Sequence, residues 1–511
     1  MKCSRMNLIS LVLLMAFCGL LYPYKLQKYA VAPNRLENYI RGPHRRNGLL
    51  FLPTTAVGFV ENSCLSRNDP LLRHSRVRDP SPYLLMKLRG YEAMHRRCGP
   101  YTASYNRTVS YLGPDNGTVS GGPNECRYII WKSASGMGNK MMTLASTFLY
   151  ALLTDRVLLI SHDNDIPDLF CEPFPESTWL LPLDFPLSSR IAKDLGKNSE
   201  DKLGNMIRRK RDLSKQPYVY LHMAHDYDDK DQLFFCDREQ SHLRRVPWLV
   251  TKSDNYFIPS LFLMHSFQPE LELLFPDKEL VFHQLGRYLF LPTNPVWGLV
   301  VRYYEAYLSM ADVRVGIQIR NYHARVNGAI VRYVIKLDQI LSCSHRKGIL
   351  PRISEQGDDG LRTGEKTKNR TLVSVMITSL GRAYSEELRN MYWEKPTSNG
   401  ETVAVYQPSF EELQKYEQKN HDMKAVAEMY LLSLCDKLVT TSRSTFGYVA
   451  QALGGLRPWI VFHNETAEPA ACSWGKSMEP CFHDPPPLDA VCKARTDGGG
   501  RRRRFLGKCD G

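Results

Sequence analysis

Residues 429–459 read MYLLSLCDKLVTTSRSTFGYVAQALGGLRPW. The opening residues complete a helical pattern that begins at Lys424 and runs to Cys435. A short apolar run at 438–440 follows, then a polar turn. Residues 446–453 return to helical spacing, and a second strand pattern covers 459–462. This alternation predicts parallel strands covered on both faces by helices. The same grammar extends back through strand patterns at 403–406, 372–378 and 313–319. It also appears in the first half of the chain. Residues 128–131 read as a buried strand, 132–139 as a Gly/Ser loop, 141–153 as an amphipathic helix and 157–160 as the next strand, which together make a βαβ unit. In that helix Met141, Leu144, Ala145, Phe148, Leu149 and Leu152 carry the spacing of one buried face. A further strand is predicted at 248–252. Two α/β lobes facing each other are therefore expected, split near 293–297, where Pro292 and Pro295 punctuate the chain. No internal repeat is present, and the Gly- and charge-rich stretch 354–368 reads as an exposed insertion.

The composition is that of a globular chain: 511 residues, 43% hydrophobic and 23% charged, which excludes disorder, collagen and mini-protein readings. The net charge of +14 favours phosphate, acidic glycans or anionic membrane surfaces. Dense basic runs occur only at 208–211 and 501–504, without interleaved aromatics, so no nucleic-acid partner is expected. Lys2 and Arg5 precede an apolar stretch from Leu8 to Leu21 with no attractive cleavage site after it, which reads as an uncleaved membrane anchor. Lysines on both sides leave its orientation open. Residues 29–122, rich in Arg, Pro, Gly and Asn, are expected as a stem, with a helix at 83–98. Asn106, Asn116, Asn369 and Asn464 lie in glycosylation sequons. Thirteen cysteines, two of them in the leader (Cys3 and Cys18), leave eleven spread singly without a C-x-x-C pair. That usage fits disulfides in an oxidising compartment better than zinc, with one thiol over, expected at Cys509.

Five short stretches carry candidate chemistry. In Ser442-Arg443-Ser444-Thr445-Phe446-Gly447, a strand gives way to a helix whose first amides, beside two hydroxyls and a small glycine, suit a pyrophosphate; simple helix capping by Ser444 or Thr445 is the plainer reading. Gly316 to Arg320 ends a strand on an arginine, where open α/β sheets bind ligands; a guanidinium there stabilises charge building on a leaving diphosphate, and the plainer reading is a surface ion pair. Ser135-Gly136-Met137-Gly138-Asn139-Lys140 opens the first helix with glycines that permit close backbone approach, but lacks the third glycine of a dinucleotide fingerprint. Asp226-Tyr227-Asp228 has the Asp-x-Asp form of metal-dependent sugar transferases and equally the composition of a solvated turn. Asp254, just past a predicted strand, is either a general base or acceptor ligand, or a turn residue.

Taken together, the 136–140 loop, the 316–320 strand end and above all 429–459, with Asn255 to Pro259 and Pro292 to Trp297, resemble the plant cell-wall α-1,2-fucosyltransferases of the xyloglucan fucosyltransferase family, over roughly 127–492. The resemblance implies a GT-B-type fold of two Rossmann-like lobes around a cleft, GDP-fucose as donor, and type II anchoring in the Golgi membrane with the catalytic part luminal. It implies the division 1–28 anchor, 29–122 stem, 123–296 acceptor-side lobe, 297–495 GDP-sugar-binding lobe and 496–511 basic tail. It also implies a metal-independent, inverting transfer of L-fucose to a galactose-type hydroxyl of a cell-wall glycan such as xyloglucan or an arabinogalactan-protein glycan. By the same resemblance Arg320 and Ser444, Thr445, Phe446 and Gly447, with Arg443, hold the donor diphosphate. Gly136, Gly138 and Asn139 border it from the other lobe, and Asp254 is a positioning residue or base. Lys140, where an arginine is usual, and Ala452, where a glycine is frequent, depart from the family pattern. A protein O-fucosyltransferase-like enzyme and a non-catalytic Golgi glycan-binding protein are the alternatives.

Overall fold

The computed structural model describes residues 64–73, 76–113, 125–326, 329–354, 370–415, 418–463, 472–483, 485–487 and 491–492. The expected anchor, the sequons at Asn116, Asn369 and Asn464, nearly all of the 354–368 insertion, the basic tail and Cys509 lie outside them. Among the described residues no helix is long and apolar enough to cross a membrane.

In chain order the framework is α1 (Pro82–Cys98), β1 (Arg127–Lys132), α2 (Met137–Thr154), β2 (Arg156–Ile160), β3 (Tyr218–Met223), β4 (Trp248–Ser253), α3 (Val281–Leu289) and α4 (Asn294–Tyr307), then β5 (Val313–Gln318), β6 (Tyr322–Val326), β7 (Ala329–Tyr333), β8 (Leu372–Thr378), β9 (Thr402–Tyr406), α5 (Lys419–Ser433), β10 (Lys437–Thr441), α6 (Thr445–Gly454), β11 (Trp459–Val461) and β12 (Cys472–Trp474). Two sheets result. The first, ordered β2-β1-β4-β3, is wholly parallel. The second, β12-β11-β10-β5-β8-β9, is parallel except for its antiparallel edge strand β12. A separate hairpin pairs β6 with β7.

In both sheets the strand order reverses beside the strand that begins it. β1 is followed by β2 on one side while β4 and β3 lie on the other. β5 is followed by β8 and β9 on one side and has β10 on the other. The carboxyl ends of β1 and β4, and of β5 and β10, therefore diverge into crevices, where open α/β sheets bind their ligands.

Two sequence expectations change. The helix expected over 141–153 begins four residues earlier, with Gly136 as its N-cap, so Asn139 lies in its first turn. It is buried all round apart from Asn139, because its outer face is covered by α3 and α6 while its inner face lies on β1 and β2. A one-sided pattern in sequence cannot report a second layer. Nor is the stem reading kept from residue 64 onward. Leu84, Leu88 and Tyr91 of α1 are buried in the main core, the Tyr91 hydroxyl donates to the Arg156 carbonyl (2.9 Å), and disulfides Cys64–Cys171 and Cys98–Cys126 fasten the segment to the body. The expected split at 293–297 falls at the start of α4, between the strands of the first sheet and those of the second. Pro295 sits in the first turn of α4, where its missing N–H costs nothing, and the Trp297 indole donates to Asp69 (2.9 Å).

Two further disulfides, Cys236–Cys492 and Cys343–Cys472, close long loops, and Cys481 is also disulfide-bonded. The free cysteine among the described residues is Cys435, which is buried. Asn106 is exposed on a short helix, Ala103–Ser110.

Candidate active site

The divergence of β5 and β10 opens a cleft of about 960 Å³. Arg320 lies two residues past the end of β5. Its amide donates to the Thr441 hydroxyl (3.0 Å), and its guanidinium donates to the Gln414 side-chain oxygen. His463, just beyond β11, joins this strand end to the next. Burial lowers its proton affinity, so it is neutral near pH 7. Its Nε2–H donates to the Arg320 carbonyl (2.8 Å), while its Nδ1 accepts from the Ser442 hydroxyl (3.3 Å). Arg443 is exposed to the cleft and adopts a left-handed backbone (φ 57°), which turns the chain sharply into α6.

At the start of α6 the plainer reading, helix capping, holds for Ser444 and not for Thr445. Ser444 is the N-cap, buried, with its Oγ accepting the Gly447 amide (3.5 Å). The Thr445 hydroxyl donates to Asn139 Oδ1 (2.7 Å). What α6 offers the cleft is therefore the amides of its first turn and their dipole rather than its hydroxyls. Gly447 is also reassigned. It is buried, and a Cβ there would sit 3.0 Å from Gln318 Oε1 and 3.1 Å from Thr440, so the glycine lets the helix settle on the sheet and does not line the cleft.

The first sheet supplies the facing wall. Gly136, Gly138 and Asn139 all line the same cleft. A Cβ at Gly138 would lie 2.7 Å from the Thr445 carbonyl carbon, so only glycine lets the amino termini of α2 and α6 touch. Asn139 spans the junction. It accepts from Thr445 through Oδ1 and donates through Nδ2 to the Asp254 carbonyl (2.9 Å), linking both crevices in one hydrogen-bonded chain. Behind it Lys140 and Asp422 are both buried, 3.8 Å apart. Burial, with Asp165 adding like charge, holds the Asp422 carboxyl above its ordinary range against the opposing pull of Lys140.

Asp254 lines a second cavity, of about 800 Å³, over the carboxyl ends of β1 to β4. Ser135 borders both cavities. The Asp254 carboxylate is turned to His225: one oxygen accepts the His225 amide (2.9 Å) and the other its Nδ1–H. The Asp-x-Asp pair is committed elsewhere. Asp226 accepts from His222 (2.8 Å), while Lys202 and Arg208 hold Asp228 at 2.7 and 2.8 Å. Burial raises the Asp228 carboxyl, but these two cations outweigh it and keep it below its ordinary range. Among the described residues no group of three or more His, Cys, Asp or Glu side chains is arranged to hold a metal ion.

Of the residues singled out from sequence, Gly136, Gly138, Asn139, Arg320, Arg443, Ser444, Thr445 and Phe446 thus come together in one cleft, while Asp254 faces its neighbour. Sequence reasoning missed Gln414, His463, Asp422 and Glu428. None lies in a recognisable motif; they reach the site from loops and helix faces that only the topology brings to these crevices.

The xyloglucan fucosyltransferase family model matches residues 44–493. The chain is 51% identical over 449 residues to a galactoside 2-alpha-L-fucosyltransferase of Pisum sativum, covering 87% of this chain and 77% of that one. It is 48% identical over 446 residues to a galactoside 2-alpha-L-fucosyltransferase of Arabidopsis thaliana, covering 86% and 77%. Its structure resembles that of a mutant of Arabidopsis thaliana FUT1 in complex with GDP, with a TM-score of 0.76 and 47% identity over 88% of this chain and 94% of that one. The fold is thus the α/β glycosyltransferase fold of that protein.

Proposed function

Because this chain belongs to the xyloglucan fucosyltransferase family, we propose that it moves L-fucose from GDP-fucose onto a galactose-type hydroxyl in α-1,2 linkage, on a cell-wall glycan such as xyloglucan or an arabinogalactan-protein glycan. The observation that carries this reading is the meeting of Arg320 with the first turn of α6 at the β5/β10 crevice, closed from the other sheet by Gly138 and Asn139. A fixed guanidinium beside helix amides matches a leaving diphosphate in charge and in geometry. As the bond from fucose carbon 1 to the diphosphate oxygen breaks, its electron pair passes to GDP. Groups already oriented there stabilise the new charge without having to reorganise. Arg320 is oriented by Gln414 and through its backbone by Thr441 and His463. The acceptor enters by the second cavity, and its hydroxyl attacks the opposite face of carbon 1, which inverts the linkage.

In this reading the architecture is of GT-B type, with Rossmann-like lobes over 123–296 and 297–495 and the folded part of 64–113 packed on the body. The protein's own cations do the work that a metal ion does elsewhere. A type II Golgi anchor at 1–28 accords with the apolar amino terminus and the disulfide usage. The test is to incubate purified protein with GDP-fucose and a galactose-ending polysaccharide, with and without a chelator. Fucosylated polysaccharide and free GDP are expected in both. No uptake of GDP by folded protein at millimolar concentration, measured by calorimetry, overturns the proposal.

A further inference from the structure

Gln414 reaches the β5/β10 cleft from the loop that follows β9. Two hydrogen bonds tie that loop to the turn after β8: the Gln407 side chain donates to the Ser379 carbonyl (3.0 Å), and the Glu412 amide donates to the Leu380 carbonyl (2.9 Å). The carboxylates of the loop are already paired, Glu411 with Lys424 and with Lys415 (3.5 Å), and Glu412 with Arg382 (3.8 Å). Gln414 is the neutral group that this anchored loop sets beside Arg320. Its Oε1 accepts from the Arg320 guanidinium, and because a guanidinium only donates, this bond fixes which end of the carboxamide is oxygen. The other end, Nε2, lies against the opposite wall, 3.2 Å from where a Cβ on Gly136 would stand. None of the described residues accepts a hydrogen bond from it. The oxygen and nitrogen of one carboxamide are about 2.3 Å apart, so an oxyanion held by the guanidinium is within reach of Nε2 as well. Donation from a cation to Oε1 also polarises the amide and makes its N–H the better donor.

We propose that Gln414 is a donor-binding residue whose Nε2–H donates to a diphosphate oxygen of the nucleotide sugar while its Oε1 holds the Arg320 guanidinium, an assignment that rests on the fucosyl-transfer reading above. One side chain then both orients the cation and supplies a second, uncharged donor to the same anion. Gln414 moves no proton. As the bond from fucose carbon 1 breaks and its electron pair stays with the diphosphate, the hydrogen bond from Nε2 strengthens with the growing negative charge.

The test compares wild type with Gln414→Glu and Gln414→Met in full-length protein, measuring thermal melts, affinity for GDP and for guanosine by calorimetry, and kcat/KM for GDP-fucose. A carboxylate at 414 still accepts from Arg320, and more strongly, but has no N–H and brings negative charge to the diphosphate. Loss of a hydrogen bond to a charged group weakens binding by about tenfold to a hundredfold. Gln414→Glu is therefore expected to bind GDP about a hundredfold more weakly and Gln414→Met about tenfold, with kcat/KM falling at least as far. Both are expected to melt like wild type and to bind guanosine, which has no phosphate, with wild-type affinity. If Gln414 only steadied Arg320, Gln414→Glu would bind GDP like wild type, and that result overturns the assignment. Tighter GDP binding in Gln414→Met, or an equal loss of guanosine and GDP, overturns it too. Failure of the wild-type protein to bind GDP would instead overturn the donor reading on which it rests.

Discussion

Replacing Gly138 by alanine tests whether close approach of two helix mouths builds the cleft. A Cβ at this position lies 2.7 Å from the Thr445 carbonyl carbon and 2.8 Å from its oxygen, where ordinary contact begins near 3.4 Å. The two backbones must part by roughly 0.7 Å, the difference between those distances, because neither neighbour is a flexible side-chain end. Overpacking of this kind costs about 1–3 kcal/mol. A displacement of that size along the 2.7 Å bond from Thr445 to Asn139 lengthens it to about 3.4 Å and weakens it, a loss of up to about 1 kcal/mol. In a chain of this size the stability term lowers Tm by a few degrees. If α6 moves off the diphosphate, GDP affinity falls about tenfold, equivalent to about 1.4 kcal/mol. Gly136→Ala is the control. Its Cβ would meet only the end of Gln414, at 3.2 Å, and its φ of −75° suits any residue, so it is expected to melt and bind like wild type. Thermal melts and GDP calorimetry on both variants decide the matter. Equal behaviour of the two, or unchanged melting and affinity in Gly138→Ala, would refute the reasoning.

Arg320→Ala is expected to cut turnover by about a hundredfold or more with an unchanged melt, as loss of one preorganised charge-stabilising group does; a folded variant with normal turnover removes Arg320 from the mechanism. Glu428 lines the cleft wall, where burial lifts its carboxyl from 4.5 to about 8 even though it accepts a hydrogen bond from Ser409 (2.5 Å). The folded chain therefore holds a proton that the unfolded chain has released. This contribution to stability is whole below pH 4.5 and is lost as pH rises through about 8, so Glu428→Gln should flatten the decline seen in denaturant melts across that window, and an unchanged slope contradicts it. The Cys236–Cys492 bond closes a separation of 256 residues, and replacing both cysteines by serine should lower stability by about 2–5 kcal/mol; an unmoved denaturant midpoint counts against a stabilising role.

The strands were legible because buried parallel strands are short apolar runs between turn residues. β8 falls at the predicted residues, and β5 and β10 within one residue at each end. That Arg320 and 443–446 lie at one cleft was legible for the same local reason: a strand end, a sharp turn and a helix start are contiguous in sequence. What no local pattern contains is which strands become neighbours. Strand order alone places the end of β5 beside that of β10, and that of β1 beside that of β4. This is why Gln414, His463 and Glu428 could not be found from spacing, and why Asp254 could not be seen to face His225. The amino-acid sequence determined the elements and the chemistry at their ends, since both depend on residues a few positions apart. Tertiary structure decided the all-round burial of α2, the folding of 64–113 against the body and the touching of Gly138 with Thr445, because each depends on surfaces brought together from distant parts of the chain.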